Sequence, residues 1–123
     1  MSKKIMIIDD DPDMRLGLHI RLKANNFQTV FAADALSAVS EARKHQPDLI
    51  ILDLGLPAGD GFVVMERFRA NVYLAATPVI VVSARDRVAN EQRAIKAGAR
   101  AFLQKPVDND QLLATINQLL ETA

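Results

Sequence analysis

A three-layer α/β fold, with one parallel sheet between two layers of helices, is predicted for this 123-residue chain by three observations. Short, mostly β-branched apolar runs alternate with helix-length stretches of amphipathic spacing, five times over. The strongest runs are apolar without interruption, as strands covered by helices on both faces must be. Aspartates stand where the helices would open, as N-caps.

The elements follow in order. Residues 5–8, IMII, make the first strand. Asp11 and Pro12 then supply an N-cap and a proline at the first helical position, with Asp13 a first-turn acid favoured by the helix dipole. Met14, Leu18 and Leu22 lie four apart on that helix. Residues 27–31, FQTVF, mix polar and apolar side chains, which suits an edge strand. Asp34 caps a second helix in which Leu36, Val39 and Ala42 recur at spacings of three. Residues 49–52, LIIL, are the third strand, and Asp60 beyond it is a turn or cap residue. Residues 79–82, VIVV, are the fourth strand. Asp86 caps the next helix, and Gly98 after AIKA marks its end. Residues 101–103, AFL, form a weaker fifth strand. Asp108 caps the last helix, whose stripe is Leu112, Leu113, Ile116, Leu119 and Leu120. His19 and His45 read as surface or packing residues.

Right-handed crossovers leave few topologies for five such units. The flavodoxin-like (βα)5 order 2-1-3-4-5 is expected, because it puts the half-polar second strand at an edge. Residues 1–123 then form one domain. Ligands of such sheets bind beyond the C-terminal strand ends, at the switch point between the first and third strands.

Composition narrows the function. Fifteen basic residues balance fifteen acidic ones, so the net charge gives no sign of nucleic-acid or membrane binding. Without cysteine there is no disulfide framework and no thiolate metal site. The apolar run after the basic start is too short for a signal peptide, and no segment approaches a transmembrane length. A soluble, cytoplasmic protein is expected.

The chemistry sits at the strand ends. The first run ends at Asp9 and Asp10, the third at Asp53, the fourth at Ser83 and the fifth at Lys105. In a parallel sheet these residues line one edge. Lys105 lies two strands from Asp53, roughly 10 Å, much of which a lysine stem can cover. Clustered carboxylates raise one another's pKa unless a cation joins them, and an all-oxygen site with room for water suits Mg²⁺. Carboxylate, divalent metal, lysine and hydroxyl together suit phosphoryl transfer, with a carboxylate nucleophile giving an aspartyl phosphate.

The motifs IIDDDPD, LDLGLPAGDG, VVSA and FLQKP, in this order on these elements, make the chain resemble the receiver domain of two-component response regulators along essentially its whole length. The resemblance implies that Asp53 is the phosphoacceptor, that Asp10 binds Mg²⁺ directly and Asp9 through water, and that the backbone carbonyl of Gly55 completes the protein ligands. It makes Ser83 the switch hydroxyl, Lys105 the partner of Asp53 or its phosphoryl group, the Lys105-Pro106 bond cis, and Phe102 the switch aromatic. Phe102 replaces the commoner tyrosine, so no phenolic hydroxyl carries the signal. Leu56 stands where methionine is frequent, a packing change. Gly55 and Arg85 occupy positions that tune dephosphorylation; Gly55 leaves the attack side open and Arg85 could cover it. The implied partners are a sensor histidine kinase or histidine phosphotransfer protein, and a downstream protein or effector domain. The latter would be met through the face of the fourth helix, fifth strand and fifth helix, with Gln111, Thr115 and Gln118 as exposed candidates. On this reading the chain is no enzyme, although it assists its own phosphorylation and dephosphorylation. The alternative is an aspartate-nucleophile phosphatase-like enzyme on the same fold. Such enzymes carry a second acid two residues past the nucleophile, where this chain has Gly55. A nucleotide- or flavin-binding module would place a glycine-rich loop after the first strand, where this chain has DDDPDM.

Overall fold

In the computed structural model, which describes residues 2–57 and 60–122, strands and helices alternate along the chain. The strands are Lys4–Ile8 (β1), Gln28–Ala32 (β2), Leu49–Leu52 (β3), Val79–Ser83 (β4) and Ala101–Gln104 (β5). The helices are Pro12–Ala24 (α1), Ala35–His45 (α2), Gly61–Ala70 (α3), Arg87–Lys96 (α4) and Asn109–Thr122 (α5). All strand pairs are parallel, in the order β2-β1-β3-β4-β5.

Two apolar layers explain why the central strands are continuous hydrophobic runs. Met6, Ile8, Ile50, Leu52 and Val81 face one layer, with the alanines of α2, Phe62, Met65 and Phe68 of α3, and Ala94 of α4. Ile5, Ile7, Leu49, Ile51, Ile80 and Val82 face the other, with Leu18 and Leu22 of α1 and Leu112 and Ile116 of α5. β2 ends the sheet beside β1, and its half-polar composition is that of an edge.

One stripe differs in part from what spacing predicts. In α2, Ala42 is buried and Val39 packs against the core as expected, but Leu36 is 70% exposed, and Ala35 and Ala38 are buried in its place. The small side chains let the helix axis lie close to the sheet, and Leu36 falls outside that contact.

Helix starts obey their caps. The carboxylates of Asp11, Asp34, Asp60 and Asp86 accept from the amides of Asp13, Ser37, Phe62 and Val88, and Asp108 accepts from that of Gln111. Asp60 is therefore a cap. Gly98 takes a φ of +114° just past α4, a conformation natural to glycine. Among the described residues no helix is long and apolar enough to cross a membrane.

The register sets the site. Ile8 pairs with Leu52, so Asp9 and Asp53 follow side by side, with the Asp53 amide donating to the Ile8 carbonyl at 2.9 Å. Ser83 pairs with Gln104, which brings Lys105 to the same edge.

Candidate functional site: an acidic cleft at the carboxyl edge of the sheet

Asp9, Asp10 and Asp53 offer carboxylate oxygens that lie within 4.8 Å of one another. Their surroundings differ. Asp9 is buried and Asp10 exposed, with Asp53 between. β1 carries Asp9 out of the core, and the chain turns at once into α1. The turn is pinned twice: the Asp11 amide donates to Asp9 Oδ1 at 2.9 Å, and Arg15 donates to the Asp9 carbonyl at 2.7 Å.

Lys105 crosses the end of β4 to reach this cluster. Its Nζ lies 3.0 Å from Asp9 Oδ2 and 3.5 Å from Asp53 Oδ2. The Lys105-Pro106 bond is cis. The nearer partner is Asp9, although the resemblance pairs the lysine with Asp53. Burial pushes the Asp9 carboxyl above the usual range, and the neighbouring Asp53 charge adds to this; the Asp11 amide and Lys105 offset it only in part. Burial opposes the charge of Lys105, but its bond to Asp9 and the charges of Asp53 and Asp9 outweigh that and hold its pKa above the ordinary lysine value.

Asp53 stands at the mouth, its side chain 12% exposed. Its Oδ1 accepts from the Gly55 amide at 3.2 Å. Position 55 is exposed, and a Cβ added there would meet nothing within 4 Å. Leu56 is buried in the layer with α2 and α3, a packing residue. Ala58 and Gly59 of the LDLGLPAGDG motif lie outside the described residues.

Across the cleft, Ser83 is fully buried as the last residue of β4, and its Oγ accepts from the Arg85 amide at 3.0 Å. Arg85 reaches Asp60 at the head of α3, with Nη2 2.9 Å from Oδ2. Phe102 is 3% exposed and packed in the core. A ring without a hydroxyl has no polar atom to keep in water. His19 packs edge-on against Phe31 and bonds Thr29, and His45 meets Glu41. Gln111 and Gln118 are exposed and Thr115 half-buried along a groove of about 380 Å³ between α4 and α5.

Three residues of the site have no role assigned from the sequence alone. Arg15 holds the β1–α1 turn. The Gln104 amide nitrogen donates to the carbonyls of Ser83 and Arg85. Gly61 is required sterically, since a methyl group there would sit 2.7 Å from the Asp53 carbonyl oxygen. A glycine directly behind a capping aspartate, a few residues past a strand-end acid, was the available hint for Gly61.

Comparison with known proteins agrees with this arrangement. Residues 5–117 match the family described as the response regulator receiver domain. The DNA-binding dual master transcriptional regulator RpaA of Synechocystis is 36% identical over 117 residues, covering 95% of this chain and 48% of its own. Protein PilH of Pseudomonas aeruginosa is 32% identical over 117 residues, covering 95% of this chain and 97% of its own. The chain thus spans about half the length of RpaA and of several other curated relatives, and nearly all of PilH. The solved receiver domain of the sensor histidine kinase PA1611 from Pseudomonas aeruginosa superposes with a TM-score of 0.89, covering 98% of this chain and 99% of its own. At 22% identity that is a likeness of fold; that structure holds a magnesium ion coordinated in its active site cleft. The chain belongs to the receiver domains of two-component response regulators. Such domains are phosphorylation switches, generally non-enzymatic phosphoacceptors that typically bind Mg²⁺ at an acidic pocket.

Proposed function

We propose that Asp53 accepts a phosphoryl group from a sensor histidine kinase or a histidine phosphotransfer protein, in the cytoplasm, and that this changes the α4-β5-α5 face that meets the next partner. The observation that carries the reading is the meeting of Asp9, Asp10 and Asp53 with Lys105 at one edge of the sheet. The donor set fits a small hard cation. It is all oxygen, one carboxylate is exposed, and the open side leaves room for water, as Mg²⁺ requires. Asp9, Asp10 and Asp53, with the Gly55 carbonyl, are the residues that would hold it. When bound, the metal neutralises carboxylate and phosphoryl charge.

This chain's own residues do the rest. An Asp53 carboxylate oxygen forms the new bond to phosphorus as the bond from phosphorus to the donor's imidazole nitrogen breaks, its electron pair leaving with the imidazole. Lys105, already 3.5 Å from Asp53, turns to the phosphoryl oxygens, and the Ser83 hydroxyl moves to donate to another. Arg85 faces Asp60, which leaves the attack side of Asp53 open beside Gly55. The receiver is a phosphoacceptor that promotes its own transfer, and no turnover of a separate substrate is assigned to it.

The test is incubation with Mg²⁺ and acetyl phosphate, followed by intact mass. A phosphoryl adduct on the wild type is expected, absent in Asp53→Asn and absent when a chelator removes the Mg²⁺. Steady hydrolysis of phosphomonoesters with no adduct would overturn the reading in favour of a phosphatase-like enzyme.

A further inference from the structure

The loop between β4 and α4 is held from two sides. From β5, the Gln104 amide nitrogen donates to the carbonyl oxygens of Ser83 at 3.3 Å and Arg85 at 2.9 Å, straddling Ala84. From the α3 side, the Asp60 carboxylate holds the Arg85 guanidinium at 2.9 Å. Between these ties the Arg85 amide donates to Ser83 Oγ at 3.0 Å. The hydroxyl assigned to the phosphoryl group is thus engaged by the backbone of its own loop.

We propose that Gln104 and the Asp60–Arg85 pair are positioning groups that brace the β4–α4 loop in its unphosphorylated arrangement, and so set how readily Ser83 turns to a phosphoryl group on Asp53. The inference rests on the function proposed above, in which Ser83 moves.

The strengths of the ties suit an adjustable bias. Gln104 is neutral and half-buried, and its amide bonds two carbonyls that need no charge to satisfy. The Arg85 and Asp60 side chains are 37% and 39% exposed, so water screens their attraction and the pair can open without stranding a buried charge. A contact made in one arrangement only shifts the population by its own free energy and no more. Weak ties therefore tilt the equilibrium without locking it. Ser83 and Gln104 are register partners across β4 and β5, so the brace acts at the last paired residues of the sheet, where the ladder gives way to loop.

Two variants remove the ties with little else. Asp60→Asn keeps the cap on the Phe62 amide, because asparagine caps as well as aspartate, while it removes the charge that holds Arg85. Gln104→Met keeps length and bulk without a donor. Beryllofluoride, a phosphoryl mimic, is titrated with Mg²⁺ by NMR, and the rate of phosphorylation by acetyl phosphate is measured alongside. Each variant should bind the mimic more tightly and be phosphorylated faster, by roughly twofold to fivefold, the range an exposed pair allows. Affinity for Mg²⁺ alone should not change, a separation that general loosening of the fold would not produce. Asp60→Asn combined with Arg85→Gln should do no more than the stronger single change. Unchanged affinity and rate, a parallel change in Mg²⁺ affinity, or additive effects of Asp60 and Arg85 would overturn the brace while leaving Asp53 as phosphoacceptor. A wild type that takes up no phosphoryl group from acetyl phosphate would overturn both.

Discussion

The two sides of the cleft are held by opposite kinds of interaction. On the β1–β3 side, Asp9 is almost wholly buried, tied by Lys105, by the Asp11 amide and, through its carbonyl, by Arg15. Moving Lys105 or the Asp11 amide takes a partner from the buried Asp9 carboxylate, which is strongly destabilising. On the β4 side, a neutral amide and a screened ion pair hold a short loop. Such ties contribute about 0.5–1 kcal/mol each. The difference assigns the labour: the charged side is stiff and suited to hold a cation, and the weakly tied side is free to answer what is bound there.

The comparison breaks most completely at Asp9. Its raised pKa means that the folded protein holds this proton more tightly than the unfolded chain, whose aspartate titrates near 3.8. Without metal, the folded state therefore gains stability from this group as pH falls from neutral through the raised value, and the gain is complete below 3.8. Above the raised value the ionised carboxylate opposes folding. Asp9→Asn should accordingly raise the melting temperature of the metal-free protein at pH 7, while it abolishes the further rise that Mg²⁺ produces in the wild type. Thermal melts with and without Mg²⁺ check both. A variant less stable than the wild type without metal would show that the Lys105 bond outweighs burial at this site.

A smaller break is steric. Gly61 opens α3 against the end of β3, and a methyl group there would press on the Asp53 carbonyl and on Leu54 Cα, each at 2.7 Å. Neither is the end of a flexible side chain, so the backbone under the phosphoacceptor must shift. Gly61→Ala should lose about 2 kcal/mol in denaturant unfolding, the usual scale of overpacking, and slow phosphorylation as well. Stability loss with an unchanged phosphorylation rate would show that α3 yields and the strand end does not.

Most of this architecture was legible in the sequence. Charges that end apolar runs are conspicuous, and Asp9, Asp53 and Lys105 do meet at one edge. Aspartates before helix-length stretches were readable as caps for the same reason, that a polar group in that place has one evident use. What was missed has no such signature. Gln104 is uncharged, and its value lies in reaching two carbonyls that only the fold brings near. Gly61 matters for an approach between two segments, not for its own conformation. Leu36 misled because i, i+3 spacing fits two overlapping stripes of α2, and the one made of alanines packs closer. The nearness of Lys105 to Asp9 rather than Asp53 turns on a difference of half an ångström, below what strand spacing predicts.

The smallest effect separates adjacent acids that sequence alone would class together. Asp11 touches the metal side through its backbone, whose amide donates to Asp9 Oδ1, whereas its side chain caps α1 by accepting from the Asp13 amide. Asp11→Ala keeps the first bond and loses the second. It should cost about 1 kcal/mol, the ordinary value of a lost cap, and leave Mg²⁺ affinity and the phosphorylation rate as they are. Asp10→Ala, one residue earlier and with no cap to lose, should do the reverse and abolish Mg²⁺-dependent phosphorylation at little cost in stability. If Asp11→Ala alone weakened Mg²⁺ binding, the stiff side of the cleft would extend one residue further into the helix than its hydrogen bonds indicate.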